Sequence, residues 1–148
     1  MNTLADTLPA EAGTYVLMIG VGEPLRIVPG RLGAFDLPAG LYAYVGSAHG
    51  AGGLRARVGR HLRAGKKVHW HVDALTALAQ VVEVWASASA ERVECEWARA
   101  LAALPGAEEP IPGFGASDCA CPTHLLRLPP DRLGEAWLAL GQPARYSP

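Results

Sequence analysis

Between residues 41 and 65 the hydrophobic period of this chain changes, and that change limits the folds open to it. "LYAYV" at 41–45 is a dense run of aromatic and aliphatic strand formers. "GSAHGAGG" at 46–53 interrupts it with four glycines. From Gly53 to about Ala64 the apolar residues Leu54, Val58 and Leu62 recur at i, i+4 and i+8, until Gly65 stops the pattern. A spacing of four is a helical stripe, whereas a short continuous apolar run bounded by turn residues is a buried strand. The stretch therefore predicts strand, glycine turn and helix in that order.

The flanking segments extend this into an α/β pattern. "GTYVLMIGVG" holds Tyr15, Val16, Leu17, Met18 and Ile19 in a run too short for most helices and suited to a buried strand. Pro-Gly and Gly turns between Glu23 and Gly46 predict a hairpin leading into the strand Leu41–Val45. "WHVDALTAL" suits a short helix, "QVVEVWAS" a third strand, and "AERVECEWARALAAL" the clearest helix, closed by Pro105-Gly106. "GFGASDCACPTHLLRL" reads as a bent loop ending in a strand. A last helix is expected over about 130–140, with the tail "GQPARYSP" frayed. A chain of 148 residues supports one domain with a real core and is short for two, so residues 1–148 are read as a single α/β unit.

No stretch approaches the roughly 20 apolar residues of a membrane span, and the N-terminus lacks a basic region followed by an apolar core. A cytoplasmic protein without membrane partners is the expectation. Three cysteines, an odd count without an export signal, are expected to be reduced thiols.

The net charge of -1 disfavours a uniformly basic nucleic-acid coat, but the charges are segregated. Between Asp36 and Asp73 there are six cations, Arg55, Arg57, Arg60, Arg63, Lys66 and Lys67, and no acid, so the remainder carries -7. One basic face on an otherwise acidic body suits a polyanion approached from one side. A solvated helix face would have the same composition.

Within this region the residue types fit phosphodiester hydrolysis, which needs an activated water, a cation at the phosphate and help for the leaving oxygen. A tyrosine can position or deprotonate water if a cationic setting lowers its pKa from about 10, although Tyr15 and Tyr44 also suit the polar rim of a sheet. Gly46, Gly50, Gly52 and Gly53 let backbone N–H groups approach an anion near the helix start, without the Gly-Lys-Ser/Thr of a P-loop. At about 100° per residue, Arg57 and His61 share one edge of the stripe Leu54, Val58, Leu62, while Arg60 and Arg63 fall opposite it and Arg55 on the other edge. A half-buried arginine beside a histidine suits a phosphate clamp with a proton carrier. On the glutamate helix, Glu94 and Glu96 flank the apolar stripe at nearly equal angles, and either could carry a hard divalent cation. Cys95, Cys119, Cys121 and His124 form a possible Cys₃His zinc set, although Cys-x-Cys is a tight spacer and cysteine is often simply buried. His69, Trp70, His71 and Asp73 in "VHWHVD" could add a site group or a metal ligand, or cap the sheet.

The ordered phrases "GTY" (13–15), "YVGSA" (44–48), "RARVGRH" (55–61), "WHVD" (70–73), "ECE" (94–96) and "GFGASDCACPTHL" (113–125) resemble the GIY-YIG nuclease superfamily, most closely its domain of unknown function 123 branch. The resemblance covers roughly residues 12–128. It implies a small antiparallel three-stranded sheet flanked by helices, and hydrolysis of a nucleic-acid phosphodiester with one Mg²⁺ or Mn²⁺. It implies that Tyr15 and Tyr44 project from adjacent strands to one site, with Tyr15 activating water and Tyr44 and His61 assisting. Arg57 would hold the scissile phosphate, and Glu94 rather than Glu96 would bind the metal. Gly46, Ser47, Arg55, Arg60, Arg63, Lys66, Lys67 and His71 would line or steer the nucleic acid, with DNA, or a branched or damaged nucleic acid, as substrate and a protein partner as a possible means of delivery. The asparagine common near the end of such domains is missing, since the one asparagine is Asn2, and Ser117 or Asp118 would have to stand in. That departure keeps two other functions open: a non-catalytic nucleic-acid-binding module and a zinc-stapled interaction protein.

Overall fold

Strand β1 (Gly13–Val21) buries eight of its nine residues, so both of its faces must be covered and it must lie inside a sheet. A computed structural model, which describes residues 4–63, 65, 67–68, 70–117 and 119–147, shows how. β1 pairs with β4 (Gly40–Ala48) along its whole length on one side and with β5 (Gln80–Ala88) on the other, both antiparallel. A two-stranded hairpin of β2 (Leu25–Ile27) and β3 (Phe35–Leu37) forms the connection between β1 and β4.

Alternation along β1 assigns each face. Tyr15, Leu17, Ile19 and Val21 pack on Leu54 and Val58 of helix α1 (Gly53–Leu62), Val72 and Leu75 of helix α2 (His71–Thr76), and the β2–β3 hairpin. Val16 and Met18 point the other way, onto Trp97 and Leu101 of α3 (Glu94–Ala102) and Ala136 and Leu140 at α4 (Leu133–Ala139). The result is a three-layer α/β arrangement with helices on both faces of the sheet. Each fully buried leucine or valine contributes roughly 1.5–3 kcal/mol of transfer free energy.

The sheet has five strands, in the order β6-β4-β1-β5-β7, rather than the expected three. The additions are short edge strands. β6 (Leu125–Leu128) pairs with Leu41–Tyr44, and β7 (Ala144–Tyr146) pairs with Val84–Ala86. β7 lies in the tail expected to fray, and distant side chains hold it in place. The Arg145 guanidinium contacts the Glu83 carboxylate at 2.6 Å and lies 5.5 Å from the Trp85 ring centroid, and Trp137 Nε1–H donates to the Pro143 carbonyl at 2.7 Å. The glutamate helix starts at Glu94, and the last helix is a 3₁₀ turn, Pro130–Arg132, followed by α4. Among the described residues no helix is long and apolar enough to cross a membrane.

Candidate active site

The site begins in the β1–β4 ladder. Tyr15 lies opposite Gly46, and Tyr44 lies opposite Leu17, two residues further along the same face. The two phenol rings are 6.4 Å apart, on adjacent strands and the same side of the sheet. Beyond β4 the chain turns through Gly52 (φ 81°) and Gly53 (φ 57°), and a side chain on Gly53 would strike the carbonyls of Ala10 and Glu11. That turn aims α1 so that Leu54 and Val58 enter the core and His61, only 2 % exposed, enters beside the tyrosines. The Tyr15 hydroxyl and His61 Nε2 share a hydrogen bond of 2.7 Å. Arg57, one turn before His61, donates from Nη1 to the Ser47 carbonyl at 3.2 Å, and its guanidinium lies 4.5 Å from the Trp70 ring centroid.

These groups wall a cleft of about 240 Å³ together with Glu94 and His124. Glu94 enters from α3, on the opposite face of the sheet from α1, and its Oε2 is buried with no hydrogen-bond partner among the described residues. A buried carboxylate oxygen without a donor is costly, and a divalent cation would satisfy it through the hard oxygen ligation that Mg²⁺ and Mn²⁺ prefer. The donor set therefore fits such an ion. Glu96, two residues on, is exposed.

Burial sets the electrostatics of the tyrosines. Desolvation pushes the Tyr15 phenol well above its usual range, the neighbouring Tyr44 adds to the rise, and Arg57 opposes it without prevailing. Tyr44 is pushed up to about 12, again mainly by burial, with Arg57 opposing. The expectation that a cationic setting lowers these phenols is thus reversed, because removal from water outweighs one half-exposed guanidinium. At neutral pH both are neutral hydroxyls.

Of the residues singled out from sequence, Tyr15, Tyr44, Gly46, Ser47, Arg57, His61, His71 and Glu94 all line the cleft. His71 Nδ1 accepts the Gly115 N–H at 2.8 Å, and burial lowers its pKa. Ser117 is also on the wall, while Asp118, His69 and Lys66 lie outside the described residues. The other cations have different positions. Arg55 donates from Nε to the Leu8 carbonyl at 2.9 Å and so anchors the N-terminal segment. Arg60 makes a bidentate pair with Asp73 at 2.9 and 3.0 Å and donates to the Lys67 carbonyl at 3.0 Å. Arg63 and Lys67 are exposed, away from the cleft wall. Sequence reading left Trp70 and Asp73 without a definite role. The local signal was the helix start itself, where the Asp73 carboxylate accepts the Trp70 N–H at 2.8 Å three residues back, as an acidic residue in a capping box does.

A second group of donors shares the α3 wall. The ligand atoms of Cys95, Cys119, Cys121 and His124 all lie within 4.8 Å of one another, close enough to hold one metal ion, and the set is compatible with zinc. All three cysteines are free thiols. His124 Nε2 is 3.3 Å from Cys119 Sγ and 3.9 Å from Cys95 Sγ. Its Nδ1 lies 3.1 Å from the Val45 carbonyl, which as an acceptor fixes the proton on Nδ1 and leaves Nε2 for a metal. The tight Cys-x-Cys spacer is accommodated because Cys95, from a different element, completes the set. Without a metal, the neighbouring Cys121 and Cys119 thiols and burial hold the Cys95 thiol up at about 12.

No curated protein and no solved structure matches the chain. The family model described as Domain of unknown function DUF123 matches residues 14–140, a span that contains both strand tyrosines, Arg57, His61, Glu94 and the Cys₃His group. This chain is a member of the DUF123 family.

Proposed function

We propose that this protein is a metal-dependent endonuclease of the GIY-YIG type, hydrolysing phosphodiester bonds of a nucleic acid, with DNA as the first substrate to test. The observation that carries the reading is that two phenols, an arginine and a histidine line one cleft with a carboxylate whose buried Oε2 has no hydrogen-bond partner among the described residues. Glu94 would hold the Mg²⁺ or Mn²⁺, which when bound supplies positive charge for the phosphate and the leaving oxygen. Arg57 pairs with the non-bridging oxygens of the scissile phosphate. The attacking water passes a proton to the Tyr15 oxygen as the Tyr15 hydroxyl passes its own to His61 Nε2. The resulting hydroxide forms a P–O bond, the P–O bond to the leaving oxygen breaks, and the leaving oxygen takes a proton from solvent. Tyr44 donates a hydrogen bond at the rim. With most other cations tied to the fold or outside the cleft, affinity for nucleic acid should be modest and salt-sensitive, and a protein partner that delivers the substrate fits this economy.

The test is incubation of the purified chain with supercoiled and branched DNA in Mg²⁺ or Mn²⁺. Cleavage that disappears in both Glu94→Ala and Arg57→Ala supports the reading. Cleavage that survives in both overturns the site assignment, and salt-sensitive binding without cleavage favours a binding module. The Cys₃His group supports a second reading, a zinc-stapled interaction protein, which predicts bound zinc and no cleavage.

A further inference from the structure

A carboxylate that the nuclease scheme leaves unused lies on the side of His61 away from Tyr15. Asp73, in the first turn of α2, is 0 % exposed. Its Oδ1 lies 3.9 Å from His61 Nδ1, while His61 Nε2 is 2.7 Å from the Tyr15 hydroxyl. The carboxylate is held from two directions: Arg60 Nη1 and Nη2 donate to Oδ1 and Oδ2 at 2.9 and 3.0 Å, and the Trp70 N–H donates to Oδ2 at 2.8 Å. Arg60 is itself braced, with its guanidinium 4.1 Å from the Trp70 ring centroid.

A neutral imidazole carries one N–H and one bare nitrogen, and its surroundings select which nitrogen is which. An ionised carboxylate can only accept, so the nitrogen facing Asp73 is best satisfied as N–H. The Tyr15 phenol keeps its proton and can donate, so the nitrogen facing it is best satisfied as the bare one. Both demands select the same tautomer. At 3.9 Å the Asp73 contact is electrostatic rather than a hydrogen bond, and burial of both partners strengthens it.

We propose that Asp73 is a positioning residue that holds His61 as the Nδ1–H tautomer, so that its bare Nε2 accepts the Tyr15 proton, with Arg60 as the clamp that fixes the carboxylate. This gives the arginine opposite the helix stripe a role in orienting the site rather than in binding phosphate. The inference rests on the nuclease reading for its consequence in turnover, but the tautomer can be read without substrate.

The experiment is long-range ¹H–¹⁵N correlation of the histidine rings in the full-length ¹⁵N-labelled chain, with His61 assigned by its loss in His61→Gln. A pyrrole-type Nδ1 and pyridine-type Nε2 on His61 are expected, and the reverse overturns the proposal. In Tyr15→Phe, which keeps Asp73, the same tautomer should persist; its reversal would show that Tyr15 rather than Asp73 selects it. Asp73→Asn, which can still accept the Trp70 N–H, should mix or reverse the tautomer and slow cleavage at least tenfold with DNA affinity unchanged. An unaltered tautomer in a folded Asp73→Asn overturns the proposal. If that variant does not fold, wild type and Tyr15→Phe still decide. An Nδ1–H tautomer in a protein that cuts nothing counts against the nuclease alone. Active enzyme with the opposite tautomer counts against Asp73 alone.

Discussion

The Tyr15 hydroxyl occupies the space that a side chain on Gly46 would fill: a Cβ built on Gly46 falls inside contact distance of the Tyr15 oxygen and ring. The two residues are direct partners across the β1–β4 ladder, so neither strand can yield without breaking register. The glycine of the β4 strand end is thus what allows a large phenol to lie flat over the neighbouring strand and reach His61.

Gly46→Ala should therefore displace Tyr15 or open the ladder. Overpacking of this kind costs about 1–3 kcal/mol, a fall of several degrees in melting temperature, and cleavage should drop with it. Gly50→Ala is the control, since its added Cβ would meet only Arg57 Nη2 at 4.0 Å. Melting curves of the two variants that coincide would show that the close approach of Tyr15 to Gly46 is not maintained in solution.

Glu94→Gln isolates the metal. The carboxylate has a buried oxygen without a partner among the described residues, so removing its charge should leave the metal-free protein as stable as wild type or more so. Mn²⁺ at about a hundred times its Kd should stabilise wild type by about 2.7 kcal/mol and the variant by nothing. Thermal melts across a Mn²⁺ titration check both halves. Equal stabilisation of the two proteins would place the ion elsewhere.

Much of this site was legible because it depends on local periodicity. The stripe Leu54, Val58, Leu62 put Arg57 and His61 on one edge, and both line the cleft; Glu94 and Glu96 were nearly tied by angle, and the α3 packing exposes only Glu96. The rest needed three dimensions. Charge composition cannot tell an arginine that steers a polyanion from one that clamps a buried acid, so Arg60, opposite the stripe, read as a steering cation, whereas Asp73, thirteen residues on, claims it. β7 is three residues whose stability comes from Glu83, Trp85 and Trp137, so no window around it carries a strand signal. The direction of the tyrosine pKa shifts depends on depth, which neither spacing nor charge reveals.

Zinc should be present at about one ion per chain by elemental analysis, and a strong chelator should lower the melting temperature. Because the Cys95 thiol is held up at about 12 without metal, binding must displace its proton, and apparent affinity should fall as pH falls, about tenfold per unit for each thiol proton displaced. Chelator competition at two pH values measures the slope, and Cys95→Ser should abolish the tight site. A flat slope, or full occupancy in Cys95→Ser, would remove Cys95 from the ligand set.

Alkaline titration reads the buried phenols directly. An exposed or unfolded tyrosine ionises near pH 10, whereas burial raises Tyr15 well above that and Tyr44 to about 12. Below about pH 10 both the folded and unfolded chains keep these protons, and their contribution to stability is fully present. Above it the unfolded chain loses protons that the folded chain retains, so the unfolded state binds fewer and stability falls as pH rises. The phenolate absorbance of Tyr15 and Tyr44 should therefore appear late and together with loss of the folded circular dichroism signal, rather than as an independent step near pH 10. Tyr15→Phe should delete one tyrosine from the late step. If all four tyrosines ionise near pH 10 with the fold intact, the phenols are open to water, and Tyr15 would then be able to act as a phenolate base rather than hand its proton to His61.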